Sequence, residues 1–334
     1  MLVTLVPKNI SFNCQEGETV YAAAARADIR FPISCKNGVC HICRGELLSG
    51  KVISGIESEP VEALNGESKT LMLCHIKPLS SCEIRIEDVY AKGELPVKQV
   101  SCQVVSVEQI QSHIYVAQLL LPAGKQPDFF AGQYLSLDLP GRSTPCYFSI
   151  ASRPGVRTLE LHIQADPHLE NALEVVRYLE SSKSVKVKLP FGKACLPEVP
   201  TQPLILMAAG TGFAQMKSIV EFLLANNFSH AITLYWGVRK AEDMYLKPLA
   251  LLWQQKNPQF RFIEIIADME DQLGVEHHNQ MAEAVVASNH NLDTSLVFVS
   301  GSPRLVFSVL DTLEENGLPT AQLFSDVLEY SERP

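Results

Sequence analysis

The sequence predicts a multidomain protein of mixed α+β and α/β class, in which a small α/β unit precedes a small antiparallel β-barrel and a doubly wound parallel sheet. At 334 residues, the chain is long enough for two or three domains. Several of its cysteines gather in the first quarter of the chain, and beyond residue 200 continuous apolar strands alternate with helical patterns. We therefore expect domains at residues 1–90, 98–200 and 201–334.

The first segment predicts a hairpin followed by a helix. The apolar stretches Leu2–Val6 and Ile10–Cys14 flank a turn. Thr19 can cap a helix over Tyr21–Ala27, because its hydroxyl can accept from the free amides of the first turn. We expect a long polar loop holding the cysteines to follow, closed by the alternating strand Cys82–Val89.

The middle segment predicts an antiparallel barrel. Tyr90–Gln99 has glycine and proline among charges and predicts a linker. Short, mostly alternating apolar runs separated by turns follow, a spacing typical of a small barrel. The runs are Cys102–Glu108, Ile114–Leu121, Tyr134–Leu139, Leu159–Ile163 and Val185–Leu189.

The last segment predicts a parallel sheet with helices on its faces. Leu204–Ala208 is a continuous apolar strand, and an amphipathic helical pattern follows it. Strands Ile232–Trp236, Phe260–Ile266 and Leu296–Ser300 come next, with helical patterns between them. Such alternation is typical of doubly wound sheets, which bind nucleotides at the carboxyl ends of their strands.

Composition excludes several classes of partner. A net charge of −9 without a Lys/Arg cluster argues against nucleic acid, and such an acidic surface would suit a basic protein partner. The chain begins on a strand pattern, and its apolar runs fall short of the roughly 20 residues that cross a bilayer. We expect a cytoplasmic protein with no membrane contact. Nine cysteines would stay reduced there, so a local cluster of them indicates metal.

Four cysteines predict an iron–sulfur cluster. Cys35, Cys40 and Cys43 have the spacing C-x4-C-x2-C, and Cys74 supplies a fourth thiolate. Soft thiolates bind iron strongly, and Gly38 leaves room for backbone amides to approach the cluster sulfides. The alternatives are a structural zinc site, which usually has two C-x2-C pairs, and a Rieske centre, which needs two histidines. The spacing favours a plant-type [2Fe–2S] cluster.

On these motifs, residues 1–90 resemble a plant-type ferredoxin domain with a β-grasp fold. The remainder is similar to the NAD(P)H:flavin oxidoreductase branch of the ferredoxin reductase superfamily. Together they resemble ferredoxin-fused reductases of the CDP-6-deoxy-glucoseen reductase type and the reductase components of oxygenases. The resemblance implies NADH or NADPH, a flavin (FAD or FMN), and a protein acceptor such as a sugar dehydratase or an oxygenase.

The resemblance also implies a flavin site on the barrel. The family pattern Arg-x-Tyr/Phe-Ser falls on residues 146–149. Tyr147 and Phe148 would then line the isoalloxazine ring. Ser149 would hydrogen-bond near flavin N5, where the hydride arrives, and is the expected catalytic residue. The same stretch could equally be an ordinary barrel strand.

The family arginine of this pattern is replaced by Cys146. A thiol cannot supply the donor fork of a guanidinium, and the lost phosphate contact would cost about 1.5–3 kcal/mol. Arg142 or Arg153 could reach in instead. The family's second phosphate motif is replaced by Ala165–Asn171, whose two carboxylates would repel a pyrophosphate. We therefore expect a weakly held or exchangeable flavin.

The turn Gly210-Thr211-Gly212 joins a buried strand to a helix and resembles the family's Gly-Gly-Thr-Gly turn. It would present backbone amides and a helix N-terminus to the nucleotide pyrophosphate. Many strand–helix turns need glycine merely to bend, so the motif is specific only in this context.

Two further positions match the family's nucleotide site. Arg239 falls in its Gly-x-Arg stretch near the adenosine ribose, or is a surface residue. Ser300-Gly301 stands where the family often has Cys-Gly beside the nicotinamide. Its alternative is an ordinary helix entry with Ser302 as the N-cap.

These modules together predict an electron-transfer oxidoreductase. Nicotinamide delivers two electrons and the cluster accepts one, so a flavin between them resolves the mismatch. We expect electrons to pass from NAD(P)H through a flavin to the cluster and then to a protein acceptor. The alternatives are a reductase of free flavins and a non-catalytic electron carrier with a degenerate flavin site, which Cys146 would favour.

Overall fold

The structure is a computed structural model that describes residues 1–54, 59–63, 68–111, 113–124, 128–166, 170–266, 276–288 and 291–334. The chain forms two compact units, Met1–Pro96 and Val97–Pro334. The division into three domains stays a prediction. In the part of the chain described, no helix is long and apolar enough to cross a membrane.

The first unit is a mixed sheet with one helix. Its elements are β1 (Leu2–Val6), β2 (Ile10–Asn13), α1 (Val20–Arg26), β3 (Arg44–Ser54), β4 (Pro60–Ala63), β5 (Lys69–Met72), β6 (Ile76–Pro78) and β7 (Cys82–Arg85). The strand order is β2-β1-β7-β3-β4, and β5 and β6 also pair with β3. The Thr19 hydroxyl accepts from the Ala22 amide at 3.1 Å, so the predicted helix cap is confirmed.

Strand β3 runs through residues that the sequence predicted as polar loop. Its inward residues Leu47 and Val52 are fully buried, which is why the segment joins the sheet. Gly50 has φ 95°, and a Cβ there would lie 2.4 Å from the Ser81 carbonyl oxygen. The register of β3 against β7 shifts between Leu47 and Ser49. This irregularity breaks the period-two pattern by which strands are recognised.

The second unit begins with a six-stranded antiparallel sheet. Its elements are β8 (Lys98–Gln111), β9 (Ile114–Leu120), β10 (Tyr134–Leu137), β11 (Cys146–Ser149), β12 (Thr158–Gln164), α2 (Glu170–Ser181) and β13 (Ser184–Phe191). The order is β11-β10-β13-β8-β9-β12, and Ile150 bridges to Leu161, so the sheet nearly closes. The predicted barrel is confirmed, whereas α2 was not predicted.

A five-stranded parallel sheet follows. Its elements are β14 (Leu204–Ala209), α3 (Phe213–Ala225), β15 (Ile232–Val238), α4 (Lys247–Lys256), β16 (Phe260–Ile266), α5 (Glu276–Ala287), β17 (Leu296–Ser300), α6 (Pro303–Glu315), β18 (Leu323–Phe324) and α7 (Val327–Tyr330). The order β16-β15-β14-β17-β18 confirms the predicted doubly wound sheet. Strand order reverses between β14 and β17, and the crevice at such a switch point is where ligands bind.

Candidate functional site

The cysteine loop lies between α1 and β3 in the first unit. Lys36, Gly38 and His41 all have left-handed backbone conformations, with φ of 56°, 78° and 60°. These turns fold the loop back on itself and direct an amide at a sulfur. The Cys40 N–H donates to Cys35 Sγ at 3.3 Å.

The four predicted ligands meet as two pairs of thiols. Cys35 Sγ hydrogen-bonds with the Cys40 thiol, and Cys74 Sγ with the Cys43 thiol. Across the described ranges, no three His, Cys, Asp or Glu side chains converge on one metal position. A two-iron cluster takes two ligands on each iron. The paired thiols therefore fit a [2Fe–2S] cluster.

The two pairs differ in environment. Cys43 and Cys74 are buried, whereas Cys40 is exposed and Cys35 is half-buried. Hydrogen bonds from the Asn37 amide, the Cys40 thiol and amide, and the Val39 amide lower the pKa of Cys35 to about 6. Burial, with a contribution from Cys43, raises the pKa of Cys74 to about 11. One pair thus faces solvent, while the other is set in the core of the unit.

The second unit contains a cavity of about 590 Å³ where the barrel meets the carboxyl ends of the parallel strands. Such a volume suits a cofactor-sized ligand. Its lining residues are Tyr134, Tyr147, Phe148, Ser149, Phe191, Gln215, Val299, Ser300, Gly301, Ser325, Asp326, Val327 and Tyr330. The cavity therefore brings together two motifs, residues 147–149 and 300–301, that lie 150 residues apart in the sequence.

One wall of the cavity is aromatic. The Tyr134 ring stacks on Phe191 with centroids 5.7 Å apart, and the Tyr147 ring stands edge-on to both. Ser149 lies opposite Tyr134 in the register of β10 and β11, which fixes it at this wall. Flat apolar side chains beside a few polar groups are the lining that a planar ring system needs.

Asp326 is the half-buried acid of this cavity. Its Oδ1 accepts from the amides of Lys193 and Ala194 at 3.0 and 3.1 Å, and its Oδ2 accepts from Gln215 Nε2 at 3.2 Å. Burial, together with repulsion from Glu329, raises the pKa of Asp326 to about 7 despite these hydrogen bonds. The sequence singled out neither Asp326 nor Gln215 as a site residue, because their partners are distant along the chain.

The two arginines suggested as substitutes at the Cys146 position both have partners outside the described cavity lining. Cys146 is half-buried and packs on the barrel core. Arg142 Nη1 donates to Glu174 Oε2 at 3.2 Å, and Arg153 Nη1 donates to the Pro154 carbonyl at 3.3 Å. Among the described residues that line the cavity there is no lysine or arginine.

The glycine turn after β14 lies beside the end of β17. A Cβ on Gly212 would lie 2.5 Å from the Ser300 carbonyl oxygen, and Gly210 has φ 52°. The Gly210 carbonyl accepts from Trp236 Nε1 at 3.0 Å, which fixes the turn from β15. Glycine is thus required for the close approach of the two strand ends, at the switch point of the sheet.

The remaining predicted nucleotide residues lie around this point. Thr211 is half-buried within the turn, and Arg239 is exposed just beyond β15. Neither belongs to the described lining of the cavity. Ser302 caps α6 by accepting from the Leu305 amide at 3.3 Å, so the alternative role suggested for this segment is also present.

A buried polar chain that sequence reasoning missed lies behind the turn. His162 Nδ1 lies 2.8 Å from the Tyr245 hydroxyl, and its Nε2 lies 2.8 Å from Glu160 Oε1. Lys217 Nζ approaches Glu160 at 3.2 Å. Burial would raise the pKa of Glu160, but the His162 and Lys217 contacts outweigh it and hold the value at about 2. Since an ionised carboxylate only accepts, His162 Nε2 donates and Nδ1 accepts from Tyr245.

Two family models match the chain. A 2Fe-2S iron-sulfur cluster binding domain matches residues 3–79, and an oxidoreductase NAD-binding domain matches residues 206–310. Reductase component 1 of terephthalate 1,2-dioxygenase from Comamonas sp. is 31% identical over 97% of this chain and 96% of its own. The CDP-6-deoxy-L-threo-D-glycero-4-hexulose-3-dehydrase reductase of Yersinia pestis is 26% identical over 97% of both chains.

Solved structures share the fold. The Amycolatopsis cytochrome P450 reductase GcoB has a TM-score of 0.62 and 24% identity, with 98% of both chains covered. The chain belongs to the ferredoxin-fused NAD(P)H:flavin oxidoreductase family, which the terephthalate dioxygenase relative shows. The predicted class is thereby confirmed: this is an electron-transfer oxidoreductase of the iron–sulfur flavoprotein type, served by NAD(P)H, a flavin and a [2Fe–2S] cluster.

Proposed function

We propose that the chain is a reductase component that delivers electrons from NADH or NADPH to a separate protein, either an oxygenase or a sugar dehydratase. The observation that carries this proposal is the cavity, which joins the barrel motif at residues 147–149 to Ser300 and Gly301 of the parallel sheet. Relatives named as the reductase of a dioxygenase and of a hexulose dehydrase support these two acceptor classes.

The proposed iron ligands are Cys35 and Cys40 on one iron and Cys43 and Cys74 on the other. The pairing of their thiols supports this division. Three left-handed backbone positions in the loop aim amide hydrogens at the sulfurs, and such hydrogen bonds tune a cluster's potential.

The cavity is the proposed flavin site, where Tyr147 and Phe148 line the ring and the Ser149 hydroxyl donates toward its reacting edge. The bound flavin would accept a hydride from nicotinamide and release its electrons singly. Ser300 and Gly301 line the same cavity as Ser149 and would border the nicotinamide.

The proposed nucleotide site is the turn after β14. The amides of Gly210, Thr211 and Gly212 precede helix α3 and offer donors to a pyrophosphate. Arg239, exposed beyond the neighbouring strand, offers a cation to the adenosine ribose or its phosphate.

A second candidate function is reduction of free flavins. The described cavity lining has no lysine or arginine to hold a flavin phosphate, which favours an exchangeable FAD or FMN. A cavity of about 590 Å³ with an aromatic wall argues against a degenerate flavin site.

An anaerobic titration tests the main proposal. Purified protein is supplied with iron and sulfide, its flavin is quantified after release, and NADH or NADPH is added with and without FAD or FMN. We expect the visible absorbance of the cluster to bleach. A cluster that stays oxidised with every combination of nucleotide and flavin would falsify the proposal, and flavin reduction without cluster reduction would favour the second candidate.

The domain boundaries 1–90, 98–200 and 201–334 belong to this proposal. Family matches at residues 3–79 and 206–310 support the outer two. A reducing compartment such as the cytoplasm suits a chain that needs four thiolates for iron among nine cysteines.

A further inference from the structure

The loop that holds three of the proposed iron ligands presents an apolar centre to solvent. Val39 is 70% exposed and Ile42 is 49% exposed, and Cys40 lies exposed between them in the sequence. We define the cluster face as the exposed residues of this loop. Within residues 36–44 they are Lys36, Asn37, Val39, Cys40, His41, Ile42 and Arg44.

The cluster face has a charge opposite to that of the whole chain. The chain has a net charge of −9, yet residues 29–45 contain no aspartate or glutamate. Lys36 and Arg44 are both exposed, one on each side of the apolar centre. The flanking carboxylates are engaged elsewhere, since Asp28 pairs with Arg30 and Glu46 with Arg85, each at 3.1 Å.

The position of Lys36 is fixed by its neighbours. Its backbone has φ 56°, and its Nζ lies 5.4 Å from the centroid of the Tyr21 ring. A cation over an aromatic face is held there by the ring quadrupole. The contact with Tyr21 therefore restrains the position of the Lys36 ammonium group on the cluster face.

We infer that the cluster face is the docking surface for an acidic electron acceptor, a protein whose own site is an apolar patch bordered by carboxylates. This inference rests on the proposed function. Val39 and Ile42 would form the dry centre of the contact, and Lys36 and Arg44 its charged rim. The net charge of the chain favoured a basic partner, so the local face reverses that expectation.

The rim charges matter because such contacts are small. Electron-transfer complexes bury less than about 1,200 Å² of surface. The side chains of Lys36 and Arg44 would therefore form a large part of the contact. Complementary charge raises association rates by roughly 10- to 1,000-fold and is screened beyond about 10 Å at 0.1 M salt. Charge at the face, not total charge, therefore decides which acceptor reaches the cluster.

The inference can be tested with one haem protein, cytochrome c, used as the electron acceptor in a basic form and in an acidic form. Cytochrome c is basic, and full succinylation converts its lysines to carboxylates, which makes it acidic while its haem stays in place. The holoprotein, with NADH in excess, reduces each form. The rate of a Cys74→Ala variant, which cannot hold the cluster, is subtracted as background.

We expect the variant Lys36→Glu/Arg44→Glu to lower kcat/KM for the succinylated form about tenfold and to raise it several-fold for native cytochrome c. Both differences should vanish at about 1 M NaCl, where the Debye length is about 3 Å. A shifted cluster potential would move both rates in one direction, so opposite changes isolate docking. If the double variant loses iron, Arg44→Gln replaces it with smaller changes of the same signs.

Lys51→Glu is the matched control, because Lys51 lies on the same strand as Arg44, seven residues further along, and pairs with Glu62 at 3.7 Å. It should leave both rates within twofold of wild type. Equal effects of the double variant on both forms, or equal effects of the control, would overturn the inference. Anaerobic bleaching by NADH is measured in the same samples, so a failure of the proposed function is seen separately.

Discussion

The cysteine loop and the cavity of the second unit are built in opposite ways. The loop takes three of its four proposed ligands from nine consecutive residues, and its backbone turns aim the amides. The cavity collects its lining from strands, turns and helices throughout the second unit around the half-buried Asp326. The loop therefore depends on its own conformation, whereas the cavity depends on the packing of a barrel against a parallel sheet.

This difference sets how each region fails. Loss of one thiol removes one of the four proposed ligands, so the cluster should be lost completely while the second unit is unaffected. Loss of a cavity residue instead disturbs a contact between segments, so it should change stability, pH dependence and affinity by degrees. The following substitutions are ordered from the largest expected effect to the smallest.

The largest effect should follow Cys74→Ala. With three thiolates left, the site cannot hold two irons, so reduction of cytochrome c should fall about 1,000-fold while NADH-dependent ferricyanide reduction persists. Iron and acid-labile sulfide content provide the second measurement. The matched control is Cys82→Ala, which removes another buried thiol from the same core. Loss of iron from both variants would show that core packing, not ligation, was the cause.

The next largest effect should be on the pH dependence of protein stability, to which Asp326 contributes. Its pKa is about 7 in the folded protein against an ordinary value of 3.8, so the folded state binds the extra proton. Stability should therefore fall as pH rises from about 4 to about 7, by about 2–4 kcal/mol. Asp326→Asn should remove this slope, because its amide oxygen can still accept from Lys193 and Ala194.

Thermal unfolding midpoints between pH 4 and pH 8 measure this difference. The midpoints of wild type and variant should change differently between about pH 4 and about pH 7 and should run parallel above about pH 7. Glu160 provides an internal contrast, since its pKa of about 2 means that its stabilisation is present near pH 5 and is lost as pH falls toward 2. Parallel curves throughout would show that Asp326 is not protonated near neutrality.

The comparison also explains what the sequence could predict. The four cysteines, the barrel runs and the apolar strands are local patterns, and each was found. Strand β3 was missed because the register irregularity between Leu47 and Ser49 interrupts its alternation. Asp326 and Gln215 were missed as site residues because their hydrogen bonds join residues more than a hundred positions apart. A contact of that range leaves no periodic signal in either segment.

A third substitution tests whether the turn after β14 is set by close packing. In Gly212→Ala the new Cβ would meet the Ser300 carbonyl, which is backbone and cannot rotate away. We expect a loss of about 1–3 kcal/mol in stability and a roughly tenfold higher KM for NADH. Thr211→Ala, which adds no atoms to the same turn, is the control for stability. An unchanged KM in Gly212→Ala would place the nucleotide elsewhere.

The smallest effect should come from the hydrogen-bonded residues Glu160, His162 and Tyr245 behind the turn. A substitution there tests whether these residues stabilise the fold or take part in flavin reduction. Tyr245→Phe removes the hydroxyl that donates to His162 Nδ1, and the buried acceptor is then left without a partner. We expect about 1–2 kcal/mol lower stability by urea unfolding, with reduction of bound flavin by NADH unchanged within twofold. Tyr330→Phe, at a residue that is 69% exposed, should cost less than about 0.5 kcal/mol.

The result for Tyr245→Phe would indicate why the second unit places the charged groups of Glu160 and Lys217 close to the proposed nucleotide site. His162 and Glu160 lie on barrel strand β12, Lys217 lies on α3, and Tyr245 follows β15, so the chain of hydrogen bonds crosses from the barrel to the parallel sheet. Satisfied buried polar groups fix one arrangement of the segments that share them. If Tyr245→Phe slowed flavin reduction as much as it lowered stability, this network would be part of the site itself, and the cavity would resemble the cysteine loop in depending on single residues.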